Sequence, residues 1–204
     1  VVERLSNHPT YPGMFERAFG TSTITKELAA KAMAQFMRTL IAGNTRYHKY
    51  IYGLPGGYMS AEALRGMELF FNEKGDCFHC HIDVRFTDNS FKNYGLNRVF
   101  DITSNGLYNV TGNTNDIGKF KVPTLINIEY TAPYMHDGRF STLEDVLDHY
   151  SEEIQFSPTV DPLMRVDSTG LLLSDGQKSD LVAFLKTLSD EEFLSNPAFS
   201  DPFK

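Results

Sequence analysis

Apolar residues recur at helical spacing in several stretches of this chain, with polar loops between them. Behind Thr25, a residue type that caps helix starts, Leu28, Ala29, Met33, Phe36, Met37 and Leu40 follow the 3.6-residue period. The spacing predicts an amphipathic helix over residues 26–42 whose apolar face packs inward, its methionines filling core gaps. A shorter helix is expected from Tyr11 to Ala18, with Pro12 at its start and Gly20 at its end. Leu54-Pro55-Gly56-Gly57 reads as a linker, dividing a helical segment, 1–54, from a second domain, 55–204. In that domain Ser60 caps a helix over residues 61–72, with Leu64, Met67, Leu69, Phe70 and Phe71 on its apolar face. Ser174 and Gln177 form a capping box ahead of Leu181, Val182, Phe184, Leu185 and Leu188. Gly66 lowers the propensity of the first helix by about 1 kcal/mol relative to alanine. A glycine there makes sense where another helix crosses closely, and the C-terminal helix is the available partner.

From Asp83 to Lys121 no period is sustained, and Asn, Asp, Gly, Ser and Thr dominate. A loop this long needs something to order it. Phe86, Phe91, Tyr94, Leu96, Val99 and Phe100 are expected to wall that object. The object is named by Cys77-Phe78-His79-Cys80-His81, the C-x-x-C-H spacing that attaches a c-type haem. Two thiols one turn apart add across the porphyrin vinyl groups, and the adjacent histidine supplies an imidazole to the iron. A zinc site would need four ligands, and the sequence has no second Cys-x-x-Cys. A redox dithiol belongs beside a βαβ pattern, which is missing here. Two crossing helices clamping a porphyrin edge make an all-α, class I cytochrome c-like domain with long irregular loops, preceded by additional helices.

Composition narrows the partners. The 204 residues carry 19 Lys+Arg against 26 Asp+Glu, a net charge of -7, and 41% are hydrophobic. Nucleic acid binding needs clustered positive charge and is excluded as an expectation. A basic redox protein is allowed. No apolar run reaches the length of a membrane span. The chain opens Val1-Val2-Glu3-Arg4, without initiator methionine or signal peptide, and is expected to be a processed or truncated product. Haem is attached to such motifs outside the cytoplasm, so a periplasmic location is expected.

Val122-Pro123-Thr124-Leu125, Thr131-Ala132-Pro133-Tyr134-Met135-His136-Asp137-Gly138 and the helix expected over 142–150 form the second informative stretch. Together with Gly66-Met67-Glu68-Leu69-Phe70, the haem motif and Asn93-Tyr94-Gly95-Leu96, they resemble the C-terminal haem domain of bacterial diheme cytochrome c peroxidases and MauG-type enzymes. The opening helices resemble the segment preceding that domain. Two departures stand out. The family usually shows arginine two positions after Thr124, where this chain has Ile126; if that arginine holds a haem propionate, Arg139 or Lys121 must replace it. The family also has two haem domains, and this sequence has one Cys-x-x-Cys-His.

The resemblance implies an electron-transfer half of a peroxidase/MauG-like oxidoreductase. Its partners would be an N-terminal haem domain where hydrogen peroxide reacts and a small redox protein or protein substrate; a homodimer is also allowed. Free-standing monohaem electron transfer and a haem-bearing sensor are the alternatives. His81 is the proximal iron ligand. The family places a methionine or, in MauG-type members, a tyrosine on the helix after the Pro-Tyr-x-His loop, and the matching position is Tyr150. Ser141 and Glu144 would cap that helix, with Leu143, Val146, Leu147 and Tyr150 on one inner face and His149 about 100° away. Met135, in the loop, is the rival ligand, ahead of His149, His136 or an open site. His136 is expected beside the haem as a partner of a propionate or water. Thr131 and Pro133 match positions whose backbone carbonyls bind calcium. His8, His48 and His79 are expected at the surface.

Overall fold

A computed structural model describes residues 1–82, 84–164 and 170–201. The fold is all-α. Its helices are α1 (Val2–Ser6), α2 (Tyr11–Phe19), α3 (Lys26–Met37), α4 (Arg46–Ile51), α5 (Ala61–Phe70), α6 (Tyr108–Thr111), α7 (Leu143–Glu152), α8 (Asp175–Leu185) and α9 (Glu191–Leu194). Two short strands, β1 (Phe91–Lys92) and β2 (Phe120–Lys121), pair antiparallel with Phe91 opposite Lys121. They interrupt the expected loop, and two-residue strands are too short to show an alternation in the sequence. Among the described residues no helix is long and apolar enough to cross a membrane.

Contacts divide the chain into two bodies, Val1–Ile41 with the stretch from Asn196, and Ala42–Ser195. In the first, Phe15, Ile24 and Ala29 form a small core with Leu5, Tyr11, Phe19 and Leu28. Gly20 closes α2 at φ 73, and the Thr25 hydroxyl accepts the Leu28 N–H at 3.2 Å to open α3. The helix stops at Met37, short of the expected Ala42. Beyond it the Thr39 hydroxyl donates to the Phe36 carbonyl at 2.7 Å, the local bonding by which threonine competes with a helix. The larger correction concerns its face. Met33, Phe36 and Met37 are 61%, 48% and 68% exposed, and Ala29 is the helix's buried residue. The period marks the helix correctly, but that face stays largely open, with Phe36 meeting the Phe199 ring edge-on at 6.3 Å.

The second body is organised by α5 crossing α8. A Cβ on Gly66 would lie 1.9 Å from the Asp180 carbonyl oxygen and 2.9 Å from the Phe184 Cβ, so only glycine lets the helices meet. Arg65 donates two hydrogen bonds of 2.8 Å to the Asp180 carboxylate beside the crossing. The Ser60 cap and the Ser174–Gln177 capping box form as expected. Phe70, Phe86, Phe184, Leu181 and Leu188 are fully buried, with the Phe70 ring 5.2 Å from Phe184 and 5.6 Å from Phe86.

Helix α4 belongs to this body. Tyr47 meets Phe86 and Phe184 edge-on, and the Gly43 and Asn44 amides donate to the Asp190 carboxylate at 2.9 and 2.8 Å. His48, expected at the surface, is buried and bonds the Thr45 hydroxyl and the Val84 carbonyl. The Leu54–Gly57 stretch is a turn folded back on α4: the Leu54 amide donates to Lys49 O at 2.8 Å. Of the expected wall, Phe86 and Leu96 are buried, whereas Val99 is 84% and Phe91 42% exposed. Asp83, the first residue of that expected loop, lies outside the described residues.

Gly66→Ala is expected to lower stability by about 1–3 kcal/mol through overpacking, read as a shift in the denaturant midpoint. A gain of about 1 kcal/mol, the propensity effect alone, would show that the crossing is looser than described.

Candidate metal centre

The chain leaves α5 and turns sharply before the cysteines. A Cβ on Gly75 would sit 2.1 Å from the Leu69 carbonyl oxygen, and Asp76 adopts φ 57. Cys77–His79 then forms one 3-10 turn, and the His81 amide donates to Cys77 O at 3.0 Å. Neither cysteine is in a disulfide. Burial pushes the Cys77 thiol up to about 12 and raises that of Cys80, which favours the neutral sulfur over the thiolate.

His81 is oriented by the loop that follows. Its Nδ1 bonds the Phe86 carbonyl at 3.0 Å. A carbonyl can only accept, so Nδ1 carries the proton and Nε2 keeps its lone pair. Burial lowers the imidazole pKa, which favours this neutral form. A neutral imidazole with one nitrogen anchored to backbone is the arrangement that metal-binding histidines use. The loop is pinned in turn by the Thr87 hydroxyl, which donates to Val122 O at 2.7 Å.

Helix α7 brings Tyr150 to the same place. Its capping box is Thr142 with Asp145, one residue later than Ser141 and Glu144, and the helix runs Leu143–Glu152. Leu143 and Leu147 are buried, with Val146 packed against the core. Tyr150 is half-buried, and burial raises its phenol pKa, with further contributions from Tyr94, Cys80 and Cys77. Those contributions place it within electrostatic reach of both cysteines. Without a cation the hydroxyl stays protonated; a metal ion inverts that preference. Two cysteines, one backbone-anchored imidazole and one phenol thus fit a covalently held haem.

The other sequence-predicted residues fall into place differently. His149, expected away from the inner face, is 2% exposed, and its Nε2 donates to the Tyr94 carbonyl at 3.0 Å. That bond occupies it in the core. Met135 is half-buried in its loop at φ 69. The His136 Nδ1 and the Tyr94 hydroxyl share a hydrogen bond of 2.6 Å, and the imidazole stacks on Phe120 at 3.8 Å. This pairing was invisible in the sequence, where Tyr94 counted as wall and as part of the Asn93–Leu96 motif. Arg139 is committed to Asp137, Asn97 and the Leu96 carbonyl, and exposed Lys121 reaches the Val122 carbonyl. Ile126 packs against the core. Thr131 and Pro133 are exposed, and the Ala132–Pro133 peptide is cis. His79 pairs with Asp76, and with Glu73 the two place ligand atoms within 4.8 Å of one another. His8 is exposed.

A family model described as di-haem cytochrome c peroxidase matches residues 1–55. The chain is 36% identical over 192 residues to methylamine utilization protein MauG of Methylorubrum extorquens, covering 94% of this chain and 52% of that protein. It is 32% identical to cytochrome c551 peroxidase of Nitrosomonas europaea, covering 92% of this chain and 52% of that protein. Among solved structures, a MauG-like protein associated with microbial copper homeostasis superposes with a TM-score of 0.87 at 33% identity, covering 100% of this chain and 65% of that one. The diheme peroxidase BthA from Burkholderia thailandensis shares the fold, with a TM-score of 0.71 at 22% identity, covering 91% of this chain and 57% of that one. The chain spans about half the length of the curated relatives it matches.

Replacing His149 with leucine leaves the Tyr94 carbonyl buried without its donor and is expected to cost about 1–3 kcal/mol. Burial lowers the folded-state pKa of His149. Its stabilising effect is therefore complete above the unfolded value of about 6.5 and is lost as pH falls toward the folded value. Thermal melts across this range should show a weaker acid dependence in His149→Leu; identical slopes would place the histidine outside the core.

Proposed function

The chain belongs to the family of MauG and the diheme cytochrome c peroxidases, and from that premise we propose that it is the C-terminal, electron-transfer haem half of such an oxidoreductase. Cys77 and Cys80 hold one haem c by thioether bonds, His81 ligates the iron through Nε2, and Tyr150 is the second protein ligand. When bound, the haem supplies one-electron storage and transfer, and a phenolate ligand shifts that chemistry toward ferric and higher states. The Phe86 carbonyl fixes the His81 tautomer and makes the imidazole a better donor. The observation that carries the reading is Tyr150, half-buried on α7 within electrostatic reach of both cysteines.

The remaining assignments follow from the same reading. Peroxide reacts at the haem of an N-terminal half, and the exposed apolar face of α3 supports a surface for that half to cover. Electrons or oxidising equivalents pass between the halves, with a small redox protein or a protein substrate as the outer partner. The acidic net charge of -7 suits a basic one. The carbonyls of Thr131 and Pro133, which accept no hydrogen bond among the described residues, are available for calcium. Covalent haem attachment puts the protein in the periplasm.

Tyr150→Phe should shift the ferric absorption spectrum and raise the reduction potential. An unchanged spectrum would make the tyrosine a core residue. A weak far-red band from sulfur-to-iron charge transfer in the unaltered protein would assign the ligand to Met135 instead. Peroxide turnover by this chain alone is expected to be slow, and brisk turnover would contradict its role as one half.

A further inference from the structure

Tyr94 has a role beyond walling the site. Its hydroxyl lies 2.6 Å from Nδ1 of His136, and the His136 amide donates to the same oxygen at 3.4 Å. The oxygen can accept the amide and still donate its own proton to the imidazole in the tautomer whose Nδ1 carries none. The pair is held rigidly. Phe120 stacks on the His136 ring at 3.8 Å and 16°. The Tyr94 carbonyl is fixed by His149 Nε2 at 3.0 Å, and the Gly95 amide donates to Asn93 Oδ1 at 3.0 Å. The Gln155 amide donates to the Gly95 carbonyl at 2.7 Å. Tyr94 also lies within electrostatic reach of Tyr150.

Losing one electron turns a phenol into a strong acid, so a tyrosine is readily oxidised only where a base stands ready for its proton. His136 is such a base. Tyr134 makes the contrast: its hydroxyl donates to the Ile128 carbonyl at 3.0 Å, and a carbonyl cannot take the proton. Burial keeps the Tyr94 phenol protonated and the His136 ring neutral, the starting state that this transfer needs.

We propose that Tyr94 is a redox-active tyrosine that yields one electron to a one-electron oxidant at the Cys77–His81 site while its hydroxyl proton moves to Nδ1 of His136. The products are a neutral tyrosyl radical and an imidazolium. An electron from an outer reductant and the returning proton restore the phenol. In its oxidant this proposal rests on the haem reading above. The class of that oxidant is a haem oxidised above its ferric state, which the phenolate ligand favours.

The test uses the full chain as isolated, oxidised by photogenerated tris(bipyridine)ruthenium(III) and freeze-trapped for electron paramagnetic resonance. Exposed tyrosines such as Tyr58 contribute a background signal; above it, a neutral tyrosyl component should form that persists in Tyr134→Phe and is lost in Tyr94→Phe. In His136→Gln, which keeps a polar side chain but removes the base, its formation should slow about a hundredfold, the low end of what a positioned base contributes. A signal of equal size in a folded Tyr94→Phe, or an unchanged rate in His136→Gln, overturns the assignment. Should Tyr94→Phe fail to fold, the His136→Gln rate decides. Pigment content is measured separately: the ruthenium oxidant acts with or without haem, so a colourless protein sinks the haem reading while the radical still reports on Tyr94.

Discussion

The close approach of α5 and α8 at Gly66 is the constraint on which the rest of the structure depends. The Asp180 carbonyl occupies the space a side chain would need. That contact buries Phe70, Leu181 and Phe184 together, and Phe86 completes the cluster from the loop beyond the cysteines. Because α5 is fixed, the turn through Gly75 and Asp76 has one course, and it delivers Cys77 against the core. Phe86 then does two jobs at once. Its ring closes the aromatic cluster, and its carbonyl fixes the His81 imidazole. Packing and ligand orientation are thus parts of one arrangement.

Burial acts in a single direction on the groups gathered there. It raises the thiols of Cys77 and Cys80 and the phenols of Tyr94 and Tyr150, and it lowers the imidazoles of His81, His136 and His149. Every one is pushed to its neutral form, as low polarity demands. A neutral interior of this kind accepts an apolar porphyrin easily. A bound cation would reverse that preference for a phenol such as Tyr150. The Tyr94–His136 pair lies in the same environment, where a proton is more easily passed along an existing hydrogen bond than released.

Much of this was legible in the sequence. Thr25, Ser60 and the Ser174–Gln177 box start helices where they should, Gly66 marks the crossing, and the spacing of Cys77, Cys80 and His81 is what points to a haem. These signals are local or chemical, and each has one physical meaning. The rest depended on contacts between distant segments. The period of α3 identified a helix, but period does not say what lies opposite, and Met33 and Met37 are exposed. His48 and His149 looked peripheral because the carbonyls they bond, those of Val84 and Tyr94, lie far along the chain. The Tyr94–His136 bond spans 42 positions and left no trace in spacing. Pro55 and the glycines of 53–57 signalled a break that is only a turn, because a turn and a linker share a composition.

The central claim is that one porphyrin is bonded to Cys77 and Cys80. Intact-mass measurement of the denatured native protein tests it most directly. The account predicts the polypeptide mass plus that of one haem, with the addition mapping to the peptide that contains both cysteines. The bare polypeptide mass, with both thiols open to alkylation, would contradict it.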